Sequence, residues 1–127
     1  MSRKHPIIAV TGSSGAGTTT VKSALEQIFH RLGASAEYVE GDSFHRYCRK
    51  EMKKELKKAK KAGRNLSHFG PEGNLFDKQK ELFCSYGENG TGMRRRYIHD
   101  EHEAALYGNQ PGTFTEWDEM PHDSDLL

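Results

Sequence analysis

The sequence is short of cysteine and of long apolar runs, and each shortage excludes something. Two cysteines, Cys48 and Cys84, stand in no metal-ligand spacing, which excludes a disulfide framework and makes a reducing compartment the default. Apolar residues make up only 34% of the 127, with a mean hydropathy of -0.86. No stretch approaches the roughly 18 uninterrupted apolar residues of a membrane span. The start, Met1-Ser2-Arg3-Lys4-His5-Pro6, is followed by only Ile7 to Val10, too short for the core of a secretory signal. One small water-soluble domain in the cytoplasm, with no membrane partner, is the expectation.

Charge of one sign is missing locally rather than globally. The net charge is +1, yet residues 46–64 hold ten basic side chains against Glu51 and Glu55. Residues 100–127 carry eight acids and no Lys or Arg. The two blocks can pair with each other or face a partner. The basic stretch lacks the aromatic interleaving of a nucleic-acid surface apart from Tyr47, so no nucleic-acid partner is expected.

What is present is organised most clearly at the front. Ile7-Ile8-Ala9-Val10 reads as a short buried parallel strand. Val21, Ala24, Leu25, Ile28, Phe29 and Leu32 then trace one helix face, with Gly33 placed for a left-handed cap. Ala36 to Glu40 alternates like a second strand that ends at Gly41-Asp42. A strand, helix, strand crossover is almost always right-handed, which sends the loop at residues 11–19 and Asp42 to the same carboxyl edge of a parallel sheet. Met52, Leu56, Ala59 and Ala62 predict a basic helix of about 14 residues stopped by Gly63. Leu75 to Tyr86 predicts another, with Asn74 as N-cap and Gly87 as its stop. From Gly87 onward, five glycines, two prolines and no sustained period predict loop.

Gly12-Ser13-Ser14-Gly15-Ala16-Gly17-Thr18-Thr19 fits the phosphate-loop pattern G-x-x-x-x-G-K-[ST] with Thr18 in the lysine position. Main-chain amides of a glycine-permitted bend, backed by a helix N-terminus, surround phosphate oxygens with or without that lysine. Thr19 stands where a hydroxyl ligates Mg2+, and Thr18 and Thr20 can bond phosphate or cap the helix. A positive charge near the γ-phosphate then has to come from another Lys or Arg. Asp42, at the same edge, can take a proton from an attacking hydroxyl, hold Mg2+, or simply cap a helix beginning at Ser43. His45, Arg46 and Arg49 follow at three, four and seven positions, so a helical segment would put a cationic ledge beside the carboxylate, suited to a phosphorylated hydroxyl compound.

Val10 to Thr20, Glu40-Gly41-Asp42-Ser43-Phe44-His45-Arg46, Ser67-His68-Phe69-Gly70-Pro71-Glu72 and Pro111-Gly112-Thr113-Phe114-Thr115 together resemble the N-terminal part of bacterial-type phosphoribulokinases, in the P-loop kinase superfamily. The lysine-less loop is itself a mark of that family. The resemblance implies an α/β, P-loop NTPase-like three-layer fold with a mainly parallel sheet. Residues 1–127 would then be the N-terminal part of one kinase domain, with a phosphate-binding unit at 1–45, a helical and loop region at 46–127, and the rest of the fold absent. It implies ATP and Mg2+ as cofactors and transfer of the γ-phosphoryl group to the 1-hydroxyl of ribulose 5-phosphate, a step of Calvin-cycle carbohydrate metabolism. By carry-over, Gly12, Ser13, Ser14, Gly15, Ala16, Gly17, Thr18, Thr19 and Thr20 would bind ATP, with Thr19 on the metal. Asp42 would be the catalytic base, and His45 and Arg49 would contact the sugar phosphate. Ala16 stands where plant-type relatives carry a regulatory cysteine, so thiol switching is not expected.

With no cation replacing the loop lysine, these residues alone are expected to be catalytically incompetent. The alternatives are a uridine kinase-like enzyme and a non-catalytic ATP-binding or interaction remnant; a homo-oligomer stays open. Arg94-Arg95-Arg96 can gather charge for a phosphate or effector, or face solvent. His68, His99, His102 and His122 lack zinc spacing apart from the pair His99 and His102, and Trp117 is expected to pack locally with Phe114.

Overall fold

The computed structural model describes residues 3–13 and 16–127. Along them run α1 Thr18–Leu32, a 3-10 turn Gly41–Phe44, α2 Arg49–Lys61, α3 Phe76–Asn89, β1 Met93–Arg94, α4 Glu101–Tyr107 and β2 Asp118–Glu119. The chain is α/β and divides into two compact units. The first comprises Met1–Tyr38, Leu82–Gly92 and Met120–Leu127, the second Val39–Glu81 and Met93–Glu119. No helix among the described residues is long and apolar enough to cross a membrane.

In the first unit α1 follows Gly17 and closes at Gly33, whose φ of 68° and amide bond to the His30 carbonyl make the expected left-handed cap. None of its residues is buried. Val21 and Ile28 are about half exposed and Leu32 is 74% exposed, so the predicted apolar stripe exists without a covering layer.

The strands expected at residues 7–10 and 36–40 are not formed as ladders. The Leu127 amide donates to the Pro6 carbonyl at 3.1 Å and its carbonyl accepts from Ile8 at 2.8 Å, while Leu126 makes an isolated parallel bridge with Ala36. A ladder needs a run of partnered residues on each side, and among the described residues the strand-like partners of the two segments are Leu126 and Leu127. The core of this unit is instead closed by Tyr86, Leu82 and Met120. Tyr86 shares a 2.8 Å hydroxyl bond with Ser124, and the Thr91 hydroxyl donates to the Met120 carbonyl at 2.6 Å.

In the second unit α2 matches its expected span and buries Met52 and Ala59 from the predicted stripe. Its start is fixed by the Glu51 carboxylate accepting the Cys48 amide at 2.9 Å, a bond that also holds the Glu51 carboxyl below its ordinary pKa. Three expectations need correction. α3 runs through Gly87 to Asn89 and ends before Gly90, whose φ is 74°; glycine inside a helix is unfavourable but tolerated, so its presence was a weak stop signal. Asn74 is not the cap of α3, because its side chain is committed elsewhere. The stretch after Gly87 is not all loop: β1 and β2 pair antiparallel, Met93 with Glu119. Within that stretch α4 is capped by Asp100, whose side chain accepts the Glu103 amide.

Candidate functional site

Of the phosphate-loop residues, Ser14 and Gly15 lie outside those described. Gly12, Ser13, Ala16, Gly17, Thr18, Thr19 and Thr20 are all solvent-exposed. The Ala16 amide turns back onto the Ser13 carbonyl at 3.0 Å. A Cβ on Gly12 would come within 3.1 Å of the Ala16 Cβ and 3.2 Å of the Thr18 methyl, so a side chain there would press on both. Gly17 adopts φ 86°, a left-handed value that explains glycine at that position. The fifteen-residue α1 begins with no acidic side chain in its first turn and no side-chain cap. Its first amides are therefore open to an anion and the helix dipole favours one. These features fit an anion, and the Thr19 hydroxyl is exposed in the first turn. Among the described residues no group of three or more His, Cys, Asp or Glu is placed to hold a metal ion.

In the second unit Asp42 lies in the 3-10 turn, which forms because the Ser43 amide and hydroxyl both donate to the Glu40 carbonyl, at 3.1 and 2.7 Å. Buried Phe44 anchors the turn beside Trp117, with ring centroids 6.2 Å apart. The Asp42 carboxylate is bracketed by two imidazoles. His45 Nε2 stands 3.3 Å from Oδ1, and His99 Nε2 stands 3.1 Å from Oδ2 and 3.6 Å from Glu40. The second nitrogen of each ring is occupied as well: His45 Nδ1 meets Asn74 Oδ1 at 2.8 Å, and His99 Nδ1 meets the Glu103 carboxylate at 3.0 Å. Burial disfavours the His99 cation, but the bonds to Asp42 and Glu103 and the charges of Glu40 and Glu103 outweigh it, so its pKa lies above the ordinary value. The His99 amide and ring in turn hold the Glu103 carboxyl below its usual range.

Arg95 fixes the turn from behind. Its guanidinium donates to the Ser43 carbonyl at 2.8 Å and the His45 carbonyl at 2.6 Å. It lies 3.6 Å from the Phe114 ring centre and 4.7 Å from that of Trp117. Arg96 rests over Tyr107 at 4.8 Å and Arg94 is buried. The triple arginine is thus neither a phosphate cluster nor a solvated run, and Trp117 and Phe114 form the walls around Arg95. Cation–π stacking and two charged bonds to carbonyls commit that side chain to structure.

Asp42, His45 and Arg49 line one cavity of about 420 Å³, together with Lys53, His68 and Tyr97. Arg49 is placed by its amide on the Gly112 carbonyl at 2.8 Å and by its guanidinium on the His99 carbonyl at 3.1 Å. Among the described residues it has no carboxylate partner. The helical ledge is corrected in one respect: the 3-10 turn stops at Phe44 and α2 starts at Arg49. Arg46 therefore diverges to the Glu72 carbonyl at 3.1 Å, while Asp42, His45 and Arg49 still converge. Sequence reasoning missed His99, Glu103, Asn74 and Arg95. The spacing Asp100-x-x-Glu103 just after His99 was the available signal, since it is that of a helix N-cap. The phosphate loop belongs to the first unit, and Asp42 with its neighbours to the second.

Comparison with known proteins gives a concordant result. The family model "Phosphoribulokinase / Uridine kinase family" matches residues 7–127. A plasmid-encoded phosphoribulokinase of Cupriavidus necator is 58% identical over 128 residues, and a probable phosphoribulokinase of Escherichia coli is 52% identical over 127. Each match covers 100% of this chain and 44% of the relative. Among solved structures, a phosphoribulokinase from Rhodobacter spheroides superposes with a TM-score of 0.86 at 46% identity, covering 99% of this chain and 42% of that one. This chain spans less than half the length of those relatives and belongs to the phosphoribulokinase/uridine kinase family.

Proposed function

We propose that these residues are the nucleotide-loop and acceptor-binding part of a phosphoribulokinase, which transfers the γ-phosphoryl group of ATP to the 1-hydroxyl of ribulose 5-phosphate. The observation that carries the reading is the cavity on which Asp42, bracketed by two imidazoles, meets Arg49 and Lys53. That combination suits a compound bearing both a hydroxyl and a phosphate. The Arg49 guanidinium, which has no carboxylate partner among the described residues, grips the phosphate beside His45, and Lys53 adds charge from the same wall. The Asp42 carboxylate faces the hydroxyl and takes its proton, while His45 and His99 orient its two oxygens. Residues Gly12 to Thr20 hold the ATP polyphosphate through main-chain donors, with the Thr19 hydroxyl on Mg2+. Bound Mg2+ would neutralise charge on that polyphosphate.

In this reading the phosphate loop follows a strand of a mainly parallel sheet in a three-layer P-loop fold. The parallel bridge of Ala36 with Leu126 and the bonds of Leu127 to Pro6 and Ile8 support it. With Thr18 in place of the loop lysine, these 127 residues alone transfer no phosphoryl group.

Titration of the chain with ribulose 5-phosphate and with uridine tests the acceptor. Saturable binding of the sugar phosphate, lost in Arg49→Gln, is expected; binding of uridine alone would assign the site to the other branch of the family. ADP release that depends on ribulose 5-phosphate in the pure chain, abolished in Asp42→Asn, would refute its inactivity.

A further inference from the structure

Asn74 is a buried polar side chain whose bonds are all accounted for. Its amide nitrogen lies 2.7 Å from the His68 carbonyl and 2.9 Å from the Gly70 carbonyl. Carbonyl oxygens only accept, so this end of the amide must be the NH2 group and the other end must be the oxygen. That oxygen stands 2.8 Å from His45 Nδ1. An amide oxygen has no proton to give, so the bond exists only if His45 Nδ1 carries one. The main chain holds both residues in register: His45 and Asn74 form an antiparallel bridge, with the Arg46 amide on the Gly73 carbonyl at 2.9 Å and the Leu75 amide on the Phe44 carbonyl at 2.7 Å.

We infer that Asn74 is a positioning residue that fixes His45 in its Nδ1–H form, leaving Nε2, the nitrogen facing Asp42, as the one ring position that gains or loses a proton. A free neutral imidazole in water favours the opposite form, with the proton on Nε2. Left to itself, His45 would present that proton to Asp42 and keep a bare Nδ1. With Nδ1–H fixed, the 3.3 Å contact between Nε2 and Asp42 Oδ1 holds when the ring is a cation donating to the carboxylate, and any proton the ring releases leaves on the Asp42 side. The other side chains facing the ring are His68 and Tyr97, edge-on at centroid distances of 6.5 and 6.3 Å. Asp42 is the charged group at contact distance among the described residues, and Arg49 and Lys53 line the same cavity. The assignment of a role in catalysis rests on Asp42 being the base, but the tautomer itself does not.

The test is a long-range 1H–15N correlation spectrum of the 15N-labelled chain, raised in pH until His45 is neutral. The ratio of the Nδ1–H to the Nε2–H form should exceed that of a free imidazole by about tenfold, the equivalent of one hydrogen bond to a buried acceptor, leaving Nδ1–H the majority. The Nδ1 proton should also show a cross-peak to the Asn74 side-chain amide. A neutral ring with its proton mainly on Nε2, or an Nδ1 proton with no contact to Asn74, overturns the inference. In Asn74→Leu the Nε2–H form should become the majority; a dispersed spectrum with Nδ1–H unchanged overturns Asn74 as the cause. If that variant loses its dispersed spectrum, the spectrum of the parent chain still decides. Failure of ribulose 5-phosphate to bind would remove the kinase reading while leaving this tautomer as it is.

Discussion

Asp42 is set by side chains that each bond in two directions, and the physics of the site is legible in them one at a time. His99 joins Asp42 to Glu103 and has a raised pKa. A group whose pKa is raised on folding adds stability that is fully present below its unfolded value and disappears as pH climbs through the folded one. The stability difference between the parent and His99→Gln should therefore be largest below pH 6.5, its ordinary value, and shrink as pH rises above it. Melting temperatures of the two proteins across that range check this, and a gap that widens toward alkaline pH would contradict it. Arg95→Lys should cost roughly 1.5–3 kcal/mol in urea unfolding, because a lysine cannot bond both carbonyls and stack between two rings. A loss near zero would mean that the pairing with Phe114 and Trp117 is incidental. From the sequence, Asp42, His45 and Arg49 were visible through their spacing and family resemblance. Arg95 was not, because a triple arginine reads as solvated charge until aromatic partners from residues 114 and 117 are seen around it.

The elements show where periodicity speaks and where it is silent. α1 and α2 carry repeats of three and four apolar steps over thirteen or more residues, long enough for the pattern to be unambiguous. α4 has only seven residues, fewer than two apolar repeats, and owes its position to Asp100 at its start. Asp100→Ala should cost about 1 kcal/mol through loss of that cap. Because Glu103 sits in the first turn, the same change should lower the His99 pKa, measurable by NMR titration; an unchanged value would mean that Glu103 holds His99 without the helix. β1 and β2 are two residues each, below the length at which alternation can be read at all. The expected strands at 7–10 and 36–40 had the right composition. A strand is made by its neighbours, however, and two residues of partner chain supply bonds for little more than a bridge.

At the scale of the whole molecule, the chain covers 44% of its Cupriavidus relative and leaves the apolar stripe of α1 uncovered. Exposed apolar positions should be cheap to change here and core positions expensive. Ile28→Ala should alter stability by no more than about 0.5 kcal/mol, whereas Leu82→Ala, at a site only 2% exposed, should cost roughly 2–5 kcal/mol. Urea unfolding of both variants decides it, and a large loss at Ile28 would mean that α1 is covered in solution. The account as a whole stands on the glycine bend before α1 as a holder of polyphosphate. Calorimetric titration of the 127-residue chain with MgATP measures this directly. Saturable binding that disappears in Gly17→Val, where φ is 86° and a branched side chain is strained, is the expected result. No binding by the parent chain, or equal binding by the variant, would contradict it.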